Sequence, residues 1–455
     1  MLMGAGCPSG TSPSEAWLQY KTPESAGWSA SGLEQARQFA ESIRSGAVIG
    51  IYRGDVLFAW GDVQRPFRCH SVRKSMLSGL IGIYAENNTI DLRKTIEDLG
   101  IDDIQPLSQT EKQATVCQLL KARSGIYHPA AKETSSMERE RPERGSRLPG
   151  EFFWYNNWDF NILGVIFEQE TGKKIFEAFQ DHIAQPVGMQ DYTLKEQFYQ
   201  YARSKSKHPA YAFRMSARDL ARFGQLYLQN GKWNGRQVIP EDWVRKSTTG
   251  YSNVNPGAQY GYMWWIYPAG GLDPEKYPTL NQWNKFAAIG TGGQLILVIP
   301  EAEFVFVHRG DTDFGNGVNG PNVWKIAEMV MQSQNTKTKK KPELEALCPI
   351  PFSYELPPLE KYEEIHLPAE VLGSYTGTYR LAPQVRIIIR LFGDQLAAEM
   401  TGPQGGEADI FPSSEDHFFG RAVRIGFTFT RDNSDKISGL LLEFGGRIQK
   451  AEKIK

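Results

Sequence analysis

Cysteine is scarce in this chain: Cys7, Cys69, Cys117 and Cys348 are the four among 455 residues, with no CxxC or other zinc spacing. That scatter argues against a disulfide framework or a thiolate metal site, and free buried thiols are expected. Net charge is as scarce. Lys and Arg number 51 against 52 Asp and Glu, a formal charge of −1. Nothing in that balance favours nucleic acid or an anionic membrane, and a small neutral substrate fits best. Long apolar runs are missing too. The window MLSGLIGIYA (76–85) is too short to span a bilayer, so no transmembrane segment is expected. There is no Gly-x-Ser-x-Gly elbow, and the histidines form no recognisable triad, which counts against an α/β-hydrolase.

What is present suggests more than one core, since domains usually run to about one or two hundred residues. GAVIGIYRGDVLFAWGD (46–62) reads as two strands joined at Arg53-Gly54-Asp55, a hairpin rather than an adhesion motif. Apolar residues recur at helical spacing in 33–42, 75–86, 160–172, 174–185, 216–231 and 322–333. GGQLILVIPEAEFVFVHR (292–309) has the β-branched and aromatic content of two packed strands. Strands at both ends with helices between predict an α/β (α+β) fold, an antiparallel sheet flanked by helices with an all-helical insertion. The Lys-, Pro- and Glu-rich stretch from Gln332 reads as a linker, and the alternating runs after Gly373 as a small all-β barrel-like domain. The expected division is a tail (1–19), a main domain (20–331), a linker (332–365) and a β domain (366–455). MLMGAGCPSG places Cys7 after small residues, as in the remnant of a lipoprotein signal, but no charged or apolar region precedes it. An extracytoplasmic location rests on that residue alone, and a cytoplasmic one stays open.

The chemistry starts at Cys69-His70-Ser71-Val72-Arg73-Lys74-Ser75-Met76. Serine and lysine three apart at a helix start share a face, and a partly desolvated lysine can take the serine proton. Ser-x-x-Lys is weak alone, with about two copies expected by chance in a chain this long. The second, Ser204–Lys207, lies in a polar stretch where its lysine stays solvated, whereas Ser71 leads into an apolar helix. Next, Phe153-Trp154-Tyr155-Asn156-Asn157-Trp158 puts a tyrosine and an asparagine two apart before a helix. Taken alone, that pattern is better explained by a packed tyrosine and a capping asparagine. Tyr251-Ser252-Asn253 matches Tyr-x-Asn literally but sits in a Gly- and Pro-containing stretch, read as a surface loop.

Taken in order, SVRK (71–74), LLKARSGIYH, YNNWDFNILGVIFEQETG, IAQPVGMQDYTL, MSARDLARFGQLYLQNGKW, QYGYMWW and GTGGQLILVIPE resemble the serine β-lactamase and penicillin-binding-protein superfamily. The resemblance is greatest to its class C-like branch of esterases, D-amino peptidases and 6-aminohexanoate-dimer hydrolases, and covers about residues 20 to 330. It implies a β-lactamase/transpeptidase-like fold and a serine hydrolase without cofactor or metal. By position Ser71 resembles the acylating nucleophile, Lys74 its proton acceptor, Tyr155 the proton carrier to the leaving group and Asn157 a substrate-orienting residue. In that scheme the ammonium favours the Tyr155 phenolate. The family's third motif, Lys-Thr-Gly or His-x-Gly, has Ala288-Ile289-Gly290 as its counterpart, followed by Thr291-Gly292-Gly293. Gly290, Thr291 and Gly292 are thus expected beside the substrate, with the Ser71 and Thr291 amides as oxyanion hole. The cation that would hold a substrate carboxylate is lost at Ala288, and Lys285 is a possible substitute. His70 is read as packing. Trp154, Trp158, Trp264 and Trp265 could line an acyl pocket or pack in the core, and the segment 132–151 could edge the cleft. The expected activity is hydrolysis of a small ester or amide with weak or no β-lactamase activity. The alternatives are a β-lactamase, a D-amino-acid peptidase or transpeptidase, and an acyl-binding sensor without turnover. The β domain resembles the lipocalin-like domain that follows some of these hydrolases. Oligomeric state is left open.

Overall fold

The alternation in residues 292–309 becomes two central strands whose side chains part to opposite faces. Ile296, Val298, Val305 and Val307 enter one core, while Leu295, Leu297, Phe304 and Phe306 enter another, as the two-residue repeat of a strand requires. Both faces are therefore covered, which explains why these strands read as continuous apolar runs. The computed structural model describes residues 16–335, 343–360, 362–402 and 406–455. Cys7 and the first domain limit's tail up to residue 15 lie outside the described residues.

The sheet strands are β1 (Leu18–Tyr20), β2 (Ala47–Tyr52) and β3 (Asp55–Gly61) near the start of the chain. Small pairs follow, β4 (Phe67–Arg68) with β7 (Arg214–Met215), β5 (Phe198–Ala202) with β6 (Ser206–Ala212), and β8 (Lys232–Trp233) with β9 (Arg236–Gln237). The sheet resumes with β10 (Ser252–Asn255), β11 (Ala258–Tyr260), β12 (Trp265–Tyr267), β13 (Lys285–Gly290), β14 (Gln294–Ile299), β15 (Phe304–Arg309) and β16 (Leu344–Ala346). Its ten strands run β10-β11-β12-β13-β14-β15-β2-β3-β1-β16, antiparallel throughout except where β1 lies parallel to β3. The Arg53-Gly54 turn has positive φ at both residues (52° and 91°), the geometry of a tight two-residue hairpin.

Five helices matter for the site: α1 (Ala30–Ser42), α2 (Val72–Glu86), α3 (Asn157–Thr171), α4 (Ala217–Leu228) and α5 (Gly320–Gln332). Helices α1 and α5 cover one face of the sheet through Leu33, Ala36, Ile326 and Val330. On the other face α4 lies close enough that a Cβ at Gly224 would meet Val305 Cγ1 at 2.6 Å. Helix α2 is buried along most of its length, because α3, α4 and the short helix Glu241–Ser247 surround it. Apolar residues on all sides give such a helix no strong amphipathic stripe.

Part of the stretch read as a linker is built into the sheet. β16 pairs with β1, the Ile350 amide donates to the Ala59 carbonyl at 2.9 Å, and Phe352 is buried against Trp60 and its neighbours. Its few apolar residues were masked in sequence by the Lys, Pro and Glu around them.

Beyond it, β17 (Gly377–Ala382), β18 (Val385–Phe392), β19 (Gln395–Met400), β20 (Gly406–Pro412), β21 (His417–Gly420), β22 (Ile425–Arg431), β23 (Ile437–Phe444) and β24 (Arg447–Lys453) form a closed antiparallel barrel. Closure between β17 and β24 leaves no free edge. Tyr379, Ile387, Ile389, Phe418, Phe429 and Leu440 fill its interior. The barrel docks on the β5–β6 hairpin: Ala408 and Ala422 meet Phe198 and Ala212, and the Arg203 guanidinium pairs with Asp409 at 2.9 Å and with Glu407. Arg214 donates to the Arg421 carbonyl at 3.0 Å.

Candidate active site

Ser71 stands at the N-cap of α2, yet its hydroxyl caps nothing: its backbone is helical (φ −76°, ψ −9°) and its side chain accepts from no backbone amide. Instead Lys74 Nζ lies 2.8 Å from Ser71 Oγ and 2.7 Å from the Tyr155 hydroxyl. One helical turn brings serine and lysine together, and the segment before α3 brings in the tyrosine. The turn that presents Ser71 contains His70 at φ 46°, a left-handed conformation that costs a histidine free energy. His70 Nε2 bonds Thr312 Oγ1 at 2.7 Å, so the ring anchors that turn to the loop after β15 and does not reach into the proton path. Burial, followed by nearby cations, holds its imidazole well below the ordinary histidine range.

The lysine amine is enclosed by apolar and aromatic groups. It sits 4.4 Å from the Tyr155 ring centroid and 4.6 Å from that of Phe160, and only 1 % of Lys74 is exposed. Desolvation first, then the charges of Arg73 and Lys132, drive its pKa well below the usual lysine value. Ring faces favour an ammonium by only about 1–2 kcal/mol, so desolvation wins, and a neutral amine can accept the Ser71 proton. Tyr155 moves the other way: burial pushes its phenol up to about 12, against smaller lowering effects of Ser71 and Arg73. Burial thus works against the phenolate expected from the sequence, favouring the uncharged forms of both the Lys74 amine and the Tyr155 phenol.

Strand β13 ends against the nucleophile. A Cβ at Gly290 would fall 2.5 Å from the Cys69 carbonyl and 3.1 Å from the Ser71 amide nitrogen, so only glycine fits there without moving the nucleophile turn. The following turn uses positive φ at Gly292 (75°) and Gly293 (83°), and buried Gln294 pins it by donating to the Gly292 and Gly310 carbonyls at 3.2 and 2.8 Å. Neither the Ser71 nor the Thr291 amide donates to a partner among the described residues, leaving both free for an oxyanion. Gly290→Ala is expected to cut kcat/KM about 100-fold while the far-UV circular dichroism is retained, because displacing a reacting group by about 1 Å is that costly. A wild-type rate would refute the close approach.

Ser71, Tyr155, Gly290, Thr291 and Gly292 line one cleft of about 360 Å³, together with Trp265, Ile289, Val318, Val323 and Trp324. Of the four tryptophans proposed for a pocket, Trp265 alone lines it. Trp158 is 1 % exposed and its Nε1 donates to buried Asp103 at 2.8 Å. Trp264 is fully buried against Tyr227 and Phe286, and half-buried Trp154 serves through its backbone, its amide donating to the Ala122 carbonyl at 2.9 Å. Asn156 rather than Asn157 caps α3. Asn157 Nδ2 donates to the Lys132 carbonyl, an acceptor only, which fixes the amide's orientation and leaves Oδ1 buried without a partner. Lys285 does not replace the missing cation: its amine bonds the Trp283 carbonyl at 2.9 Å, at the far end of β13. Tyr251-Ser252-Asn253 enters edge strand β10 instead of a loop, and Lys207, the lysine of the second Ser-x-x-Lys, is exposed. Trp324 and Ile289 were missed, although the helical spacing in 322–333 and the alternation along β13 carry them. No cluster of three His, Cys, Asp or Glu suited to a metal ion occurs among the described residues, and no helix among them is long and apolar enough to cross a membrane.

The arrangement has relatives. A 6-aminohexanoate-dimer hydrolase from Paenarthrobacter ureafaciens is 26 % identical over 175 residues, 36 % of this chain and 40 % of that protein. Protein flp from Staphylococcus aureus (strain MW2) is 30 % identical over 111 residues, 22 % of this chain and 21 % of its own. The chain thus matches well under half the length of these curated relatives. In fold, an octameric penicillin-binding protein homologue from Pyrococcus abyssi superposes with a TM-score of 0.51 at 18 % identity, covering 93 % of this chain and 99 % of that one. A Bacillus anthracis protein provisionally described as a 6-aminohexanoate-dimer hydrolase gives 0.51 at 21 %, covering 72 % and 88 %. The profile of the beta-lactamase family matches residues 31–324, a span that begins in α1, takes in the nucleophile turn, α3 and the β13–β14 turn, and ends in α5. With that match over more than half its length, the chain belongs to the beta-lactamase family.

Proposed function

We propose that this protein is a serine hydrolase that forms an acyl-enzyme on Ser71 and releases it to water, acting on a small ester or amide. The observation that carries the reading is the contact of Lys74 Nζ with both Ser71 Oγ and the Tyr155 hydroxyl, with the amine desolvated. Neutral Lys74 takes the Ser71 proton as Oγ bonds to the substrate carbonyl carbon. The developing oxyanion is met by the Ser71 and Thr291 amides. Tyr155 gives its proton to the leaving oxygen or nitrogen and recovers one from Lys74. Water then enters by the same route in reverse, which regenerates Ser71 and yields the acid.

A penicillin presents a carboxylate for which the β13 edge, Ala288-Ile289-Gly290, holds no cation. Loss of one charge-assisted hydrogen bond is worth about 10- to 100-fold in affinity. Steady-state hydrolysis of 4-nitrophenyl acetate is therefore expected to exceed that of benzylpenicillin, with penicillin turnover weak or absent. Burst hydrolysis of penicillin faster than the ester would overturn the proposal.

A further inference from the structure

The two-residue repeat of β15 puts His308 in line with Phe304 and Phe306, opposite Leu295 of β14. A polar ring on an apolar face is costly unless both of its nitrogens are bonded. Here both are. Nδ1 lies 2.6 Å from the Gly293 carbonyl oxygen and Nε2 lies 2.8 Å from Ser45 Oγ, with both side chains fully buried. A carbonyl only accepts, so the ring proton sits on Nδ1 and Nε2 accepts from the Ser45 hydroxyl. Burial, set against the bond to Gly293, brings the imidazole down to about 4, so the ring is neutral at pH 7 and keeps this tautomer. Its anchor is firm. The Ser45 amide donates to the Ala40 carbonyl at 3.1 Å, and the Ser45 carbonyl receives the Tyr354 hydroxyl at 2.5 Å.

What the ring holds is the turn that carries the oxyanion amide. Gly290 pairs with Gln294 in the ladder, so Thr291, Gly292 and Gly293 form the connection between β13 and β14. Two consecutive glycines of positive φ leave the peptide between them free to rotate, and bonds from outside the turn must remove that freedom. The Gly292 carbonyl receives the Val318 amide at 3.1 Å besides the Gln294 side chain, and the Gly293 carbonyl receives His308. Gly293 itself lines the cleft with Ser71 and Thr291. A Cβ there would fall 3.2 Å from His308 Cε1, so the ring packs directly against the turn.

We infer that His308 is a positioning residue for the hydrolysis proposed above: its Nδ1–H holds the Gly293 carbonyl, and through the turn it keeps the Thr291 amide at the oxyanion. This rests on the hydrolase reading and adds to it a residue that touches neither the substrate nor the reacting atoms. Loss of the bond frees the turn, and a misplaced donor is felt mainly in the transition state.

Two substitutions separate the two bonds of the ring. In His308→Asn the amide nitrogen stands as far along the side chain as Nδ1 and can still donate to Gly293, whereas in His308→Gln the amide stands where Nε2 does and reaches Ser45 alone. Each leaves one buried partner unpaired, so both are expected to lower the melting temperature. Their rates should part. For 4-nitrophenyl acetate, kcat is expected to fall at least about tenfold in His308→Gln with KM little changed, while His308→Asn stays within about threefold of wild type. Equal kcat in the two variants would make the histidine merely structural and overturn the inference. Where His308→Gln fails to fold, ring 15N spectra of the histidine-labelled wild-type protein decide: a non-titrating ring protonated on Nδ1 is expected, and its absence overturns the donation. If the wild-type protein cleaves no ester, the hydrolase reading fails, and hydrogen exchange judges the brace by itself. Faster exchange across residues 290–295 in His308→Gln than in His308→Asn upholds it, and equal exchange overturns it.

Discussion

Ser71→Ala is expected to lower kcat/KM for 4-nitrophenyl acetate by at least about 1,000-fold, to the level that binding and oxyanion contacts alone sustain. Intact-mass spectrometry on the wild-type protein, quenched during turnover, should show one acyl group, absent from the variant. Stability should hardly change. Most N-cap serines satisfy a helix amide and cost about 1 kcal/mol when replaced by alanine, but the Ser71 hydroxyl caps nothing. Its loss removes the contact with Lys74 and the one with Tyr155. Retention of full activity by Ser71→Ala would sink the mechanism outright, and loss of activity with a collapsed thermal transition would make it uninformative about chemistry, which is why the melting curve belongs to the same experiment.

Lys74→Met should be about as damaging to rate, again about 1,000-fold or more, and should leave the protein equally or more stable. The reason is linkage. Burial depresses the Lys74 pKa in the folded protein, while the unfolded chain protonates it up to the ordinary value near 10.4. Between the lowered and ordinary values the unfolded state binds the extra proton, so stability rises with pH through that window and is diminished below it. Removing the amine removes that term. Urea unfolding at several pH values from neutrality to pH 10 should therefore show a shallower rise for Lys74→Met than for the wild type. The same slope in both proteins, or wild-type turnover by the variant, would contradict a neutral lysine base.

The cluster of Ser71, Lys74 and Tyr155 was readable from sequence because its ordering is local: one helical turn fixes Ser71 and Lys74, and the helix that follows Tyr155 fixes its company. The tryptophans were not readable, since the same aromatic spacing serves a core as well as a cleft. Lys285 could have been excluded by alternation. It lies on the odd face of β13 with Ala287, whereas Ala288 and Gly290 point the other way, and five residues of strand span about 17 Å. Lys132 was opaque for a deeper reason. It opens a polar segment that looks solvated, and only the Asn157 side chain, far along the chain, ties it beside the nucleophile. The lipocalin-like resemblance of the C-terminal strands agrees loosely with a closed eight-stranded barrel.

The strand order also governs how the chain can mature. β2 is hydrogen-bonded to β15, and β1 to β16, partners separated by some 250 to 330 residues of intervening chain. Synthesis at about 5–20 residues per second leaves the first strands waiting tens of seconds for β15 and β16. Until then β2, apolar on both faces, has one unpaired edge. Long-range pairing of this kind slows folding and exposes sticky edges. Helices α2 and α3 can assemble early, but the sheet that seats Gly290 against the Ser71 turn closes late, so the nascent chain acquires the Ser71–Lys74 pair long before the strand that completes the cleft around it.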